Sequence, residues 1–546
     1  MKNKLINILK IVILSLSIIK SSIAGEVFNF DVTEIEIIEN GNIFIGKKGG
    51  KATTADGVTI KAINFNYDKT KNILIATGNV EIIDNADDIK IYSENVTYIK
   101  NKEIIISEGN SKAKNENIEI NANKFKYNKI TNIIDASGLV KIENKIENYI
   151  IFSDNVTYLR NLEKIITKNN SKAINNGVTI DADNFLFNRN KNILNAEGNV
   201  KVDDVVENYQ IIAENITYYK NENTISSKGK TNIIVDEIYN FHSTDVFLDR
   251  NLKEFKSFKK SNLIDDNLNK YELSKFVYFY EKKFLKGENI KVQNNYKNKN
   301  NDKLFFSNAF INFIDNSFIS KDTKVLLNKE TFDKERNSEE SENNIFSGQN
   351  DPRIYGSSSN GDEKNIIVNN GIFTSCKKRD KCPPWSIKAK KITHDREKQN
   401  INYENAFLNI YDVPVFYFPK FFHPDPSVER RSGLLQPRLN NSDILGSSLN
   451  LPYFHVISAN KDITFKPTIF DNRIYMFQNE FRQKNENSSF ISDFNYIKGY
   501  QSSLNNNNYS NRNSISHLFA KFDLDLGLEK FTNSKLKVSL EKVNND

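Results

Sequence analysis

The residues of this chain that can do chemistry are few and poorly grouped. Its only thiols, Cys376 and Cys382 in SCKKRDKCPPW, can form a disulfide, hold a metal ion or act as a nucleophile. A structural zinc site needs four ligands, usually Cys and His at short spacing, yet His242, His394, His423, His455 and His517 are scattered along the chain. A thiol nucleophile needs an adjacent base, and no histidine stands near either cysteine. The acid pairs Asp87–Asp88 and Asp203–Asp204 fall in turn-like stretches, where solvated carboxylates are the ordinary outcome. No GxxxxGK(S/T) loop is present to cradle a nucleotide. These patterns point away from an enzyme and imply neither cofactor nor metal. Structural chemistry remains: in an oxidising compartment the thiols can pair with each other or with another chain. The stretch RRSGLLQPRLNNSDILGSSLNLPYFHVI, from Arg430 to Ile457, reads as two adjacent strands carrying Pro437 and Pro452. Proline brings no N–H to a ladder, so each run is weakened where its proline falls.

The elements that must position these residues announce themselves by repetition. ATGNVEI around Gly78, ASGLVKI around Gly138 and AEGNVKV around Gly198 recur at 138 − 78 = 60 and 198 − 138 = 60 residues. SENVTYIKN, SDNVTYLRN and AENITYYKN keep the same period, and a weaker half-period of about thirty residues lies inside it. Val178, Ile180 and Ala182 share one parity, as do Ile118, Ile120 and Ala122, which is the alternation of strands. Such a chain stacks hairpins whose apolar faces are buried only by their neighbours. The expectation is an all-β jellyroll or solenoid, with either a dry core or a slot between its walls able to hold lipid chains. The Asn-x-Thr triplets at Asn95, Asn155 and Asn215 follow the period and read as strand-edge or turn positions. The abundance of Asn reads in part as compositional bias.

The first residues, MKNKLINILKIVILSLSIIKSSIAGEV, have the basic start, apolar middle and small-residue end of an export signal, with cleavage expected after Ala24. A formal net charge of +7 over 546 residues, with both signs interspersed, does not suggest a nucleic-acid partner. No later run of about 18 apolar residues occurs, so a membrane could be crossed only by a barrel. The polar run from Thr331 to Lys364 reads as a flexible linker.

The end of the chain has a barrel's pattern. In SHLFAKFDLDLGLEK, Leu518, Ala520, Phe522, Leu524, Leu526 and Leu528 share one parity, while His517, Lys521, Asp523, Asp525 and Glu529 share the other, Phe519 being the exception. Apolar-out, polar-in alternation over about ten residues marks a transmembrane β-strand. Between Ile372 and Gln483 the ordered segments FTSC, WSIKAKKITHDRE, NAFLNIYDVPVFYFP, RRSGLLQP and LPYFHVI resemble the outer-membrane lipopolysaccharide-assembly translocon, the LptD or OstA family. More weakly, the repeats are similar to the family's periplasmic jellyroll and to its bridge-forming relatives.

That resemblance implies a signal peptide (1–24), a repeated OstA-like jellyroll (25–330), a linker (331–365), the end of the jellyroll and connection to the barrel (366–431) and a partial outer-membrane barrel (432–546). It implies lipopolysaccharide as cargo, an OstA-like periplasmic bridge protein and a plug lipoprotein as partners, and an outer-membrane location with the N-terminal domain in the periplasm. It makes Pro437 and Pro452 lateral-gate prolines, offers Arg430 and Arg431 for lipid head groups, and matches Cys376 to a family cysteine, leaving a local bridge to Cys382 open. Only 546 − 431 = 115 residues follow Arg431, enough for roughly six strands, so the chain reads as truncated within the barrel. The alternative is a periplasmic lipid-binding or bridging module with a non-functional barrel remnant.

Overall fold

The computed structural model describes residues 27–297, 301–327, 352–376, 383–426, 428, 430–435, 437–442, 446–471, 473–499, 514–528 and 534–544. The leader expected over 1–24 and Cys382 lie outside them. Among the described residues the chain is all-β, interrupted only by three short 3-10 turns. None of its helices is long and apolar enough to cross a membrane, which says nothing of strands. Two compact units divide it: the first holds the described residues up to Lys297 with Phe306–Ile314, the second the remainder.

In the first unit each strand pairs antiparallel with the next, as in Ile73–Asp84, Ile89–Ile99, Ile104–Lys114, Ile118–Asn128, Ile133–Asn144 and Tyr149–Leu159. Most of these strands bend at mid-length, where the register shifts at Thr77/Val80, Glu108/Ser111 and Glu197/Val200. The repeated Gly-Asn dipeptide makes the bend: Gly198 has φ +79° and Asn199 φ +48°, and a Cβ on Gly198 would lie 2.2 Å from Asp183 Oδ2. A bulge kinks the strand; Leu74, Ala76, Val80 and Ile82 keep one buried parity across it, while the next strand switches parity between Ser93 and Val96.

Bending turns carbonyls inward, and these need donors. The Ser93 hydroxyl lies within hydrogen-bond distance of the Glu108 and Asn95 carbonyls (3.0 and 3.1 Å) and of the Ser111 hydroxyl (2.9 Å). Ser153–Ser171 repeats the hydroxyl pair at 3.4 Å, and Ser243–Ser261 at 2.7 Å. Asn95, Asn155 and Asn215 stand at these bends.

The turns explain the asparagine content. Asn72, Asn132, Asn192 and Asn223 have φ between +53° and +55°, a region that Asn enters at lower cost than most residues. Each donates from Nδ2 to the Oδ1 of an asparagine one rung on: Asn72 to Asn101, Asn132 to Asn161, Asn192 to Asn221 and Asn223 to Asn251, at 2.8–2.9 Å. Some of the asparagines that composition alone left as bias thus form a structural ladder. Beside it runs a series of paired cations. Lys129 bridges Asp84 (2.7 Å) and Asp56 (3.2 Å). Burial acts to raise the Asp56 pKa, but hydrogen bonds involving Lys100, Thr54 and Lys129 outweigh it and hold the carboxyl well below the usual range.

The second unit opens with strands Ser317–Leu326, Arg353–Gly361, Asn365–Thr374, Trp385–Asp395, Asn400–Ile410 and Val413–Pro424, paired in chain order. Arg353–Gly361 corrects the linker expected over 331–365, whose last part is a strand. It buries Ile354 at one end and hydroxyls towards the other, with Ser359 Oγ 2.6 Å from Ser320 Oγ and 2.8 Å from Thr323 Oγ1. A nine-stranded antiparallel sheet follows, from Gly433–Leu434 to Lys535–Asn544. Two pairs of its strands are the halves of interrupted runs.

Candidate functional site

Two places in the molecule have the geometry of a site. The first is a narrow apolar recess in the repeat unit, about 40 Å³ in volume, walled by Tyr149, Ile151, Val178, Ile180, Phe187 and Leu194. Tyr149 and Phe187 face each other edge-on at 5.3 Å. The rim is polar: Lys220 Nζ sits 5.5 Å from the Tyr149 ring centroid and 3.1 Å from the Glu147 carbonyl, and Asn175 and Asn192 also line it. Burial pushes the Tyr149 phenol above its ordinary value, with the Arg189 charge opposing. Its apolar wall and basic rim have the polarity an amphiphile bearing anionic groups would meet, in a slot that must widen to admit an acyl chain.

The second is the start of the nine-stranded sheet, where polarity is reversed. In Lys461–Phe470, Asp462, Thr464 and Thr468 are 4–5% exposed, whereas Phe465 and Ile469 are 41% and 51% exposed. The buried parity is tied by polar pairs: Lys466 to Glu480 (2.6 Å), Arg482 to Asp462 (2.9 Å), Gln478 to Asp493 (2.8 Å) and His517 to Asp493 (3.1 Å). The opposite face shows Phe477, Phe494, Leu536, Val538 and Leu540, each at least 43% exposed. An apolar outer face over a polar lining is the arrangement of a membrane barrel wall. Phe519, the exception in the alternation, stacks on His517 at 4.4 Å.

The expected site residues gather around the first hairpin of this sheet. Pro437 is exposed and directly precedes Arg438–Ser442, and Pro452 is buried between Gly446–Asn450 and Tyr453–Ser458. Neither lies inside a strand; each sits where a run breaks. The breaks face each other, since the register changes between Leu434↔Tyr453 and Arg438↔Asn450.

Arg430 is placed against protein, pairing with the buried Asp462 and donating to the Ala459 carbonyl (2.7 Å). Arg431 donates to the carbonyls of Lys398 and Gln399 (2.7 and 2.9 Å). Both guanidinium groups therefore anchor the chain ahead of the first hairpin, a role that basic residues at a strand end do not disclose in sequence. Cys376 is half-buried with Sγ 3.7 Å from the Trp385 carbonyl; Cys382, its expected local partner, lies outside the described residues. The sequence reading missed the acid that Arg430 meets, although Asp462 lies on the polar parity of its strand. It also missed Pro467, discussed below. Among the described residues no His, Cys, Asp or Glu cluster is arranged to hold a metal ion.

Comparison with known proteins agrees with this geometry. Over 122 residues the chain is 38% identical to the LPS-assembly protein LptD of Yersinia enterocolitica. The chain is LptD-like. The LPS-assembly protein LptD of Polaromonas sp. matches it at 33% identity over 124 residues. Each match covers 22% of the LptD-like chain and only 15% of the relative's length. No family model matches. Among solved structures, LptH, the LptA-homologous periplasmic component of the lipopolysaccharide transport device of Pseudomonas aeruginosa, aligns with 20% of this chain and 82% of its own. At 13% identity and a TM-score of 0.20, that likeness is too slight to argue from.

Proposed function

We propose that this chain takes part in lipopolysaccharide transport and assembly at the outer membrane. In this reading the repeat unit lies in the periplasm, takes the lipid from an OstA-like bridge protein and shields its acyl chains in the apolar recess. The nine-stranded sheet is barrel wall, Pro437 and Pro452 mark a lateral gate in it, and a plug lipoprotein occupies the completed barrel. The chain is a conduit rather than a catalyst, and energy comes from a partner. The observation that carries the reading is the reversed polarity of the sheet, buried Asp and Thr against exposed Phe and Ile, in a chain that matches LptD proteins.

A photoreactive phenylalanine at Ile180, and separately at Leu451, tests it in a lipopolysaccharide-producing envelope. Adducts with lipopolysaccharide are expected at both positions, with none from an exposed control such as Ile130, which is 72% exposed. Adducts at neither would sink the proposal. Adducts at Ile180 alone would turn it into the second reading, a lipid-binding or bridging module, which the recess favours on its own.

A further inference from the structure

The line of weakness at the first hairpin continues into the next strand. Leu435 N–H donates to the Pro452 carbonyl (2.8 Å), and Leu451 N–H donates to the Pro467 carbonyl (3.0 Å). In an antiparallel ladder, residues facing each other in this way exchange two hydrogen bonds. Here neither return bond can form, because the partner is proline in both cases. Pro452 thus halves a pair on the seam between the first and second runs. Pro467, inside Lys461–Phe470, halves a pair on the seam between the second and third.

The two defects are adjacent, at residues 452 and 451 of the same run, and the ladder is interrupted there. Pairing with Lys461–Phe470 stops at Asn450↔Thr468 and resumes at Tyr453↔Phe465. Side chains patch the gap: Asn450 Nδ2 reaches Thr468 Oγ1 (2.7 Å) and, more weakly, the Pro467 carbonyl (3.4 Å). On its other side Pro467 is paired normally, opposite Phe477 in an uninterrupted register from Lys461↔Gln483 to Ile469↔Tyr475. The weakening therefore stops at the third run.

We infer that the paired strands Gly433–Leu434, Arg438–Ser442, Gly446–Asn450 and Tyr453–Ser458 move together as a two-stranded flap about a line through Pro437, Pro452 and Pro467, with Pro467 a positioning residue for the proposed gate. The inference rests on the lateral-gate reading and changes its mechanics. Opening swings the free edge of the first run outward while the second seam bends, so the gap at that edge widens by more than one strand's displacement. Lys461–Phe470, held by Arg482–Asp462 and Lys466–Glu480, is the fixed post.

Amide hydrogen exchange on the full chain, folded in detergent micelles without lipid, tests the flap directly. Pro467→Ala restores the missing donor and is expected to slow exchange at residues 449–453 by about three- to tenfold, the net weight of one backbone hydrogen bond. Pro437→Ala should leave the Leu451 amide unchanged. Equal rates at Leu451 in Pro467→Ala and the parent overturn the flap, as does equal slowing there by Pro437→Ala. If Pro467→Ala folds poorly, the pair Asn450→Cys with Thr468→Cys replaces it: its disulfide, opposed to its reduced form, should slow exchange across both seams, and slowing at the second alone overturns the inference. Because no lipid is present, these results stand apart from the adduct experiment at Ile180 and Leu451, which decides the transport reading.

Discussion

Ile118–Asn128 and Lys461–Phe470 both alternate, the first with one switch of parity between Ala122 and Phe125, and are buried in opposite senses. In the first, Ile118, Ile120, Ala122, Phe125 and Tyr127 are at most 7% exposed; in the second it is Asp462, Thr464 and Thr468 that are covered. Period-two patterning fixes which residues share a face, but not which face meets the solvent. The composition of the polar parity does that. In the repeats it consists of Lys, Glu and Asn in surface pairs such as Lys112–Glu119 (2.6 Å). In the sheet it consists of acids, bases and amides that can satisfy one another when covered, as Asp462 does between Arg430 and Arg482.

The contrast can be broken by experiment. Phe255→Ala removes a ring with no exposed surface and should lower stability by about 3–5 kcal/mol, read as a shifted urea midpoint; a shift below 1 kcal/mol would mean the repeat core is not packed as described. Phe494→Arg, on the exposed apolar face of the sheet, should lower stability by about 2–4 kcal/mol in a bilayer and hardly at all in lipid-free solution. Equal effects in both media would remove the barrel-wall assignment.

The smallest effect is one of pH, in the strands that precede the sheet. His423 Nδ1 donates to the Pro424 carbonyl (2.7 Å), so the neutral ring accepts the Tyr403 hydroxyl at Nε2 (2.7 Å). Burial pushes the His423 pKa below its ordinary 6.5, partly opposed by the Pro424 hydrogen bond and the Asp425 charge. The unfolded chain then binds this proton at higher pH than the folded one. Its contribution to stability is complete above about pH 6.5 and is lost as pH falls towards the depressed value. Thermal melts from pH 7.5 to 5 should show that slope, and His423→Phe should flatten it.

Much of this was legible in the sequence, and the failures have physical causes. The 60-residue period marked the bends, because each needs a residue tolerant of positive φ at the same place. Arg353–Gly361 was hidden because RIYGSSSNG fills its interior with Ser359 and its hydroxyl partners, which erases the apolar alternation that strand reading depends on. Pro437 and Pro452 were visible, but not that the breaks beside them lie opposite one another. Pro467 was overlooked because DITFKPTIF alternates well around it. Its signal was spacing: 452 − 437 = 15 and 467 − 452 = 15, one strand and turn of an antiparallel meander, which sets three prolines at one level.

The asparagine step that joins each turn to the next has a mechanical consequence. It is made anew in each 60-residue unit, at Asn72–Asn101, Asn132–Asn161 and Asn192–Asn221, and again at Asn223–Asn251, so no clasp depends on a distant one for its closure. A pull along the stack would meet a chain of equal clasps rather than a single latch. It would yield in increments of about 30 residues, each paying out roughly 100 Å of chain, and leave the rungs beyond the break intact.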